Sequence, residues 1–146
     1  MNCIRVLALD LEGTLISNAV SQIPRPGLRV FLENCALISE RVVSFTAVRE
    51  DKFREIAAQL VADGTAPSWY QGIDYVQWNW KTKDLQFVQG YQKTQILLVD
   101  DNRDYVHPGQ ESQWVEVQTF ESPYPETDAE LSRVLQVIRQ RIEGQS

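Results

Sequence analysis

A chain of 146 residues, 43% hydrophobic and 23% charged, has the make-up of an ordinary globular protein, and its length suits one domain over residues 1–146. Its formal charge of −6 argues against general nucleic-acid binding, leaving only a local basic rim open, and no apolar stretch is long enough to span a bilayer or serve as a signal-peptide core. The expected location is therefore the cytoplasm, away from membranes, with Cys3 and Cys35 reduced in the core and too few Cys and His for a structural zinc.

In chain order, Met1 to Leu9 ends in an apolar run suited to a buried strand, and Pro24-Arg25-Pro26-Gly27 then breaks structure. From Leu28, the positions Phe31, Leu32, Cys35 and Ile38 recur at helical spacing. Arg41 to Thr46 reads as a second strand. Phe53, Ile56, Ala57, Leu60 and Val61 form the stripe of a second helix that should stop at Gly64 in a left-handed cap. A third strand is expected within Ile73 to Trp80, a short helix near Leu85 to Tyr91, a fourth strand at Gln95 to Val99 running into Asp100-Asp101, and a last strand at Trp114 to Gln118. Leu131, Val134, Leu135, Ile138 and Ile142 mark a C-terminal helix, entered through Thr127-Asp128-Ala129-Glu130 at capping-box spacing. Strands alternating with helices predict an α/β fold, doubly wound around a mainly parallel sheet of about five strands. In such folds ligands bind at the carboxyl ends of the strands, where Asp10, Thr46 and the Asp100/Asp101 pair would share one rim.

That rim has a definite chemistry. A carboxylate at a strand end can attack phosphorus and form an aspartyl-phosphate, splitting one difficult hydrolysis into two easier steps, and Asp10 is the candidate. Carboxylates crowded beside a phosphate dianion call for a hard cation with oxygen ligands, which fits Mg2+ held by Asp10, the main-chain carbonyl of Glu12, and Asp101 with Asp100 behind it. Glu12 would protonate the leaving oxygen and then activate water. Thr46, by its hydroxyl, and Lys83, by its charge, would hold the transferring phosphoryl oxygens. Ser44 competes with Thr46 for that role, and Lys81 with Lys83. Trp69, Tyr70, Tyr75, Trp78 and Trp80 crowd one region, either as core or as an aromatic lip beside an open site.

These segments resemble the haloacid dehalogenase (HAD) superfamily: DLEGTL at Asp10 to Leu15, VVSFTA with Thr46, Lys83, and LLVDDNRD at Leu97 to Asp104 stand in the order of its four motifs. Arg25-Pro26-Gly27-Leu28 followed by Phe31-Leu32, and later Lys83-Asp84-Leu85, are similar to the NLI-interacting-factor or small carboxy-terminal-domain phosphatase branch. The resemblance implies a HAD-like Rossmannoid sheet with the first strand between the second and the fourth, and a magnesium-dependent phosphatase. Residues 16–26 are too few to hold an inserted cap domain, and 63–75 offer only a modest loop. A capless member of this superfamily is expected to act on a phosphorylated protein or another large phosphorylated substrate. A small-metabolite phosphatase is the enzymatic alternative, and because most members have aspartate where this chain has Glu12, a weakly catalytic phosphate-binding module is the competing reading from another class.

Overall fold

The computed structural model describes residues 3–144, so Met1 and Asn2, at the start of the first expected strand, lie outside the described residues. Five strands, β1 (Val6–Leu9), β2 (Arg41–Ser44), β3 (Asp74–Tyr75), β4 (Ile96–Asp100) and β5 (Trp114–Glu116), form one sheet in the order β3-β2-β1-β4-β5. Every neighbouring pair is parallel. β1 and β4 are buried along their whole length, as strands covered on both faces must be, and this is why β1 reads as an unbroken apolar run and β4 as one up to its last residue, Asp100. Leu9 lies opposite Ser44 on one side and Val99 on the other, so the residues that follow these three strands emerge together at one end of the sheet.

The two faces are covered differently. Leu7, Leu9, Leu97 and Val99 point to one face and pack with the apolar sides of α1 (Leu28–Ile38), α2 (Glu50–Ala62) and α3 (Glu130–Glu143), represented by Phe31, Ile56 and Val134. Val6, Ala8, Val43 and Leu98 point the other way, onto Phe45, Trp78, Leu85 and Val88. That second face is covered by extended chain and single 3-10 turns. The short helix expected near Leu85 to Tyr91 is only such a turn, over Leu85–Phe87, with Asp84 accepting the Gln86 N–H. Gly90, inside the expected span, takes a left-handed φ of 89°, which stops any helix there.

The remaining departures are also local. β3 pairs for two residues, and the chain then leaves the sheet after one more bond, the Val76 N–H donated to the Ser44 carbonyl. Gly64, with φ at 75°, follows α2 in the left-handed conformation its cap requires, its N–H bonded to the Val61 carbonyl. The capping box at α3 does not form. Ala129 precedes the helix, Asp128 Oδ1 accepts the Glu130 N–H at 3.2 Å while its carboxylate also binds Arg25, and Glu130 is drawn off to the Gln118 N–H. Cys35 is buried on α1, where burial pushes its thiol far up, but Cys3 is exposed, which corrects the expectation of two core cysteines. No cap is inserted after β1. Ile16 bridges both Glu12 and Pro24, and the Ser17 N–H reaches the Ile23 carbonyl, closing residues 17–23 into a small loop.

Candidate active site

The two-residue alternation along β1 and β4 puts Asp10 on the face of Ala8 and Asp100 on the face of Leu98. Lys83 meets both there: its Nζ lies 2.9 Å from Asp10 Oδ1 and 2.5 Å from Asp100 Oδ2. Lys83 is completely buried, ringed by Tyr105, Phe45 and Trp78 with centroids 4.9, 5.9 and 6.0 Å from the ammonium. The aromatic ring faces solvate a cation that water cannot reach, and they hold it at the strand ends. Lys81 is exposed, so of the two lysines only Lys83 joins the carboxylates.

The turn after β1 is built around Asp101. Thr14, fully buried, places its Oγ1 2.8 Å from Asp10 Oδ2 and 3.2 Å from Asp101 Oδ1, while Thr119 donates to Asp101 Oδ2 at 2.8 Å. Gly13 lies under this carboxylate at a φ of 76°, and a Cβ on it would fall 2.3 Å from Asp101 Oδ2, so only glycine fits. Arg25, 2% exposed, ties the turn to the far end of the chain. Its guanidinium donates to the carbonyls of Gly13 (3.3 Å) and Thr14 (3.2 Å), forks onto Asp128 at 2.9 and 3.0 Å, and lies over the Phe120 ring.

The other expected residues sit farther out. Glu12 is half-buried, and its Oε2 accepts the Ala19 N–H at 2.7 Å, which directs its carboxylate to the loop over 17–23 rather than into the carboxylate cluster. Thr46 is buried just past β2. Its hydroxyl accepts the Val48 N–H at 3.0 Å, and its carbonyl accepts the Trp78 indole N–H at 3.1 Å. Ser44 is also buried and its hydroxyl has no partner among the described residues, and neither hydroxyl touches Lys83 or Asp10 there. The aromatic group divides: Tyr70 and Trp78 are core, whereas Trp80 is 50% exposed with its ring tilted over Trp78 at 5.1 Å.

Three carboxylates gather here, two of them against one buried ammonium. Asp10, Asp100 and Asp101 each offer an oxygen within 4.8 Å of the others. Burial alone would push Lys83 toward neutrality, but the charges of Asp10 and Asp100 outweigh it and hold the lysine above its ordinary range. Burial and the Asp10 charge push Asp100 well above the usual carboxylate range, against the pull of Lys83. Burial, then the hydrogen bond and charge of Asp10, lift Asp101 to about 6, against Thr119 and Thr14. The surplus of negative charge and the all-oxygen donor set fit a hard divalent cation.

Thr119 carries no motif of its own, while Arg25 was read only within the Arg25-Pro26-Gly27-Leu28 phrase and Asp128 only within a helix entry; the link between these two becomes visible only once residues 103 apart in the chain are in contact. Thr14 lies inside the first motif and was legible only as part of it. Among curated proteins no match is found. Residues 5–146, nearly the entire chain, match the family model of the NLI interacting factor-like phosphatases, and the chain belongs to that family, a branch of the HAD superfamily.

Proposed function

We propose that this chain is a magnesium-dependent phosphomonoester hydrolase that works through an aspartyl-phosphate on Asp10. The observation that supports this best is the buried Lys83, which joins Asp10 to Asp100 at the carboxyl edge of the sheet. Asp10, Asp100 and Asp101 would hold the Mg2+, which neutralises phosphoryl charge when bound. Lys83, buried against Asp10, would offset the negative charge of the phosphoryl group as Asp10 takes it up, and the Thr14 hydroxyl fixes the orientation of the Asp10 carboxylate. Asp10 attacks phosphorus, forming an O–P bond as the ester O–P bond breaks, and Glu12 gives its proton to the leaving oxygen. Water then attacks the phosphoryl group and passes a proton back to Glu12, releasing inorganic phosphate and free Asp10. The Ala19 N–H occupies one Glu12 oxygen and steadies the side chain, and the proton moves through the other.

The substrate class follows from the open front. With no cap to close over a small molecule, a phosphorylated protein or another large phosphorylated substrate can reach Asp10 and shield it. Trp80 supports this reading: a bulky residue at a φ of 65° is strained, and here the strain presents a half-exposed ring two residues beyond Trp78, at the strand end that carries Thr46. The test is p-nitrophenyl phosphate hydrolysis with Mg2+ and with chelator, followed by a screen of phosphopeptides, phosphorylated metabolites and nucleic-acid ends. Asp10→Asn should abolish metal-dependent release, and unchanged release would remove Asp10 as nucleophile. Glu12→Gln should slow turnover roughly a hundredfold or more. The Ala19 tether favours a second reading, a phosphate-binding module with little turnover. Under that reading Glu12→Gln would leave a weak rate unchanged.

A further inference from the structure

Lys83 sits between two residues whose side chains meet the same imidazole. Thr82 Oγ1 lies 2.6 Å from His107 Nδ1, and Asp84 Oδ2 lies 3.4 Å from His107 Nε2. Neighbours on an extended segment point opposite to the residue between them, so His107 grips the outer side of the segment while Lys83 projects inward. A neutral imidazole with its proton on Nε2 meets both partners at once, accepting the Thr82 hydroxyl and turning its N–H toward Asp84. The same loop adds two more ties: the Lys83 N–H donates to the Tyr105 carbonyl at 2.7 Å, and the buried Gln110 side chain binds Asp84 at 2.8 Å and the Leu85 N–H at 2.9 Å. Burial would raise the Asp84 carboxyl, but the Gln86 N–H, Gln110 and His107 outweigh it and hold it below its ordinary range.

We propose that His107, the one histidine of the chain, is a positioning residue that sets the reach of Lys83 toward the phosphoryl group by clamping Thr82 and Asp84 on either side of it. The inference rests on the reading of Lys83 as the phosphate-binding lysine. Its force comes from the tolerance of such sites: a displacement near 1 Å can cost on the order of a hundredfold.

The test is binding of inorganic phosphate in saturating Mg2+, followed by titration calorimetry, which reads affinity whether or not turnover is fast. His107→Ala should weaken phosphate binding about tenfold. His107→Gln, which keeps an amide nitrogen able to approach Asp84, should recover part of the loss and provides the measurement if the alanine variant does not fold. Thr82→Val with Asp84→Asn should reproduce the loss, and adding His107→Ala to that pair should weaken binding no further. Ile138→Val, across the sheet on α3, serves as the destabilised control and should keep wild-type affinity. Phosphate affinity within twofold of wild type in both His107 variants, while Lys83→Met loses binding, overturns the clamp alone. Undiminished binding by Lys83→Met overturns the underlying assignment of Lys83, and the clamp with it.

Discussion

Gly13 has no room for a side chain because Asp101 occupies the space above it, and this makes one hydrogen atom a condition of the site. Gly13→Ala should cost about 1–3 kcal/mol through its left-handed backbone and must also push the Asp101 carboxylate away from Thr14. The expected outcome is a lowered Tm together with weakened Mg2+ binding, read by calorimetry. Asp101 also gives the metal-free protein a pH signature. Its folded carboxyl titrates near 6 against 3.8 for the ordinary group, so between those values the folded state binds a proton that the unfolded chain has released. Stability therefore falls as pH rises through this window, the reverse of the contribution from Asp84, Asp128 and Glu130, whose carboxyls lie below their ordinary values. In chelator, the Tm advantage of Asp101→Asn over wild type should grow from pH 4 to pH 6.5. An advantage that stays flat would show that Asp101 keeps an ordinary carboxyl. Asp10 and the Asp100/Asp101 pair were legible in sequence because each stands at the end of an apolar strand run, and Lys83 because of the Lys-Asp-Leu phrase past the third expected strand. Thr119 was not, because a hydroxyl in a loop acquires a role only from the carboxylate that arrives beside it.

At the scale of elements, the turn after β1 and the approach to α3 are one unit. Arg25 holds two carbonyls of the first and the carboxylate of the second, so Asp128, which also accepts the Glu130 N–H at the start of α3, serves a tertiary ion pair as well. Arg25→Ala strands a half-buried carboxylate and two carbonyls, and should cost about 1–3 kcal/mol. Because the released turn carries Thr14, phosphatase activity should drop further than the loss of folded protein explains, with activity per folded molecule as the measurement. Arg25→Lys should recover part of the stability but less of the activity, since an ammonium cannot fork onto Asp128 while reaching both carbonyls. The strong periodicities of α1, α2 and α3 and the apolar runs of β1 and β4 made those elements readable. β3 and the segment after it were harder, since aromatics at alternating positions read as strand wherever they pack. Here β3 is an edge strand among the described residues, and the chain past it is held by the Trp78 indole N–H on the Thr46 carbonyl rather than by a further ladder.

Across the whole molecule, no helix among the described residues is long and apolar enough to cross a membrane, and the sheet divides two unlike layers. Behind it lie three α-helices that share one apolar cluster. In front, around Lys83, lie 3-10 turns and extended chain joined by side-chain ties. Trp80 stands at the edge of the front layer, and Trp80→Ala should raise KM for a large phosphorylated substrate severalfold while leaving p-nitrophenyl phosphate turnover within about twofold of wild type. The sequence signals followed the same division. Helical stripes recorded the back layer plainly, and the front layer left only scattered motif residues, because turns held by side chains impose no period on the chain. One consequence concerns time rather than shape. Front-layer amides such as those of Val88 and Val106 close only single-turn bonds, so they should exchange with deuterium well before those of Ile56 or Ile138. Such an ordering would mean that the half of the protein carrying the candidate site can open and close many times within the lifetime of an intact back, without the fold being at risk.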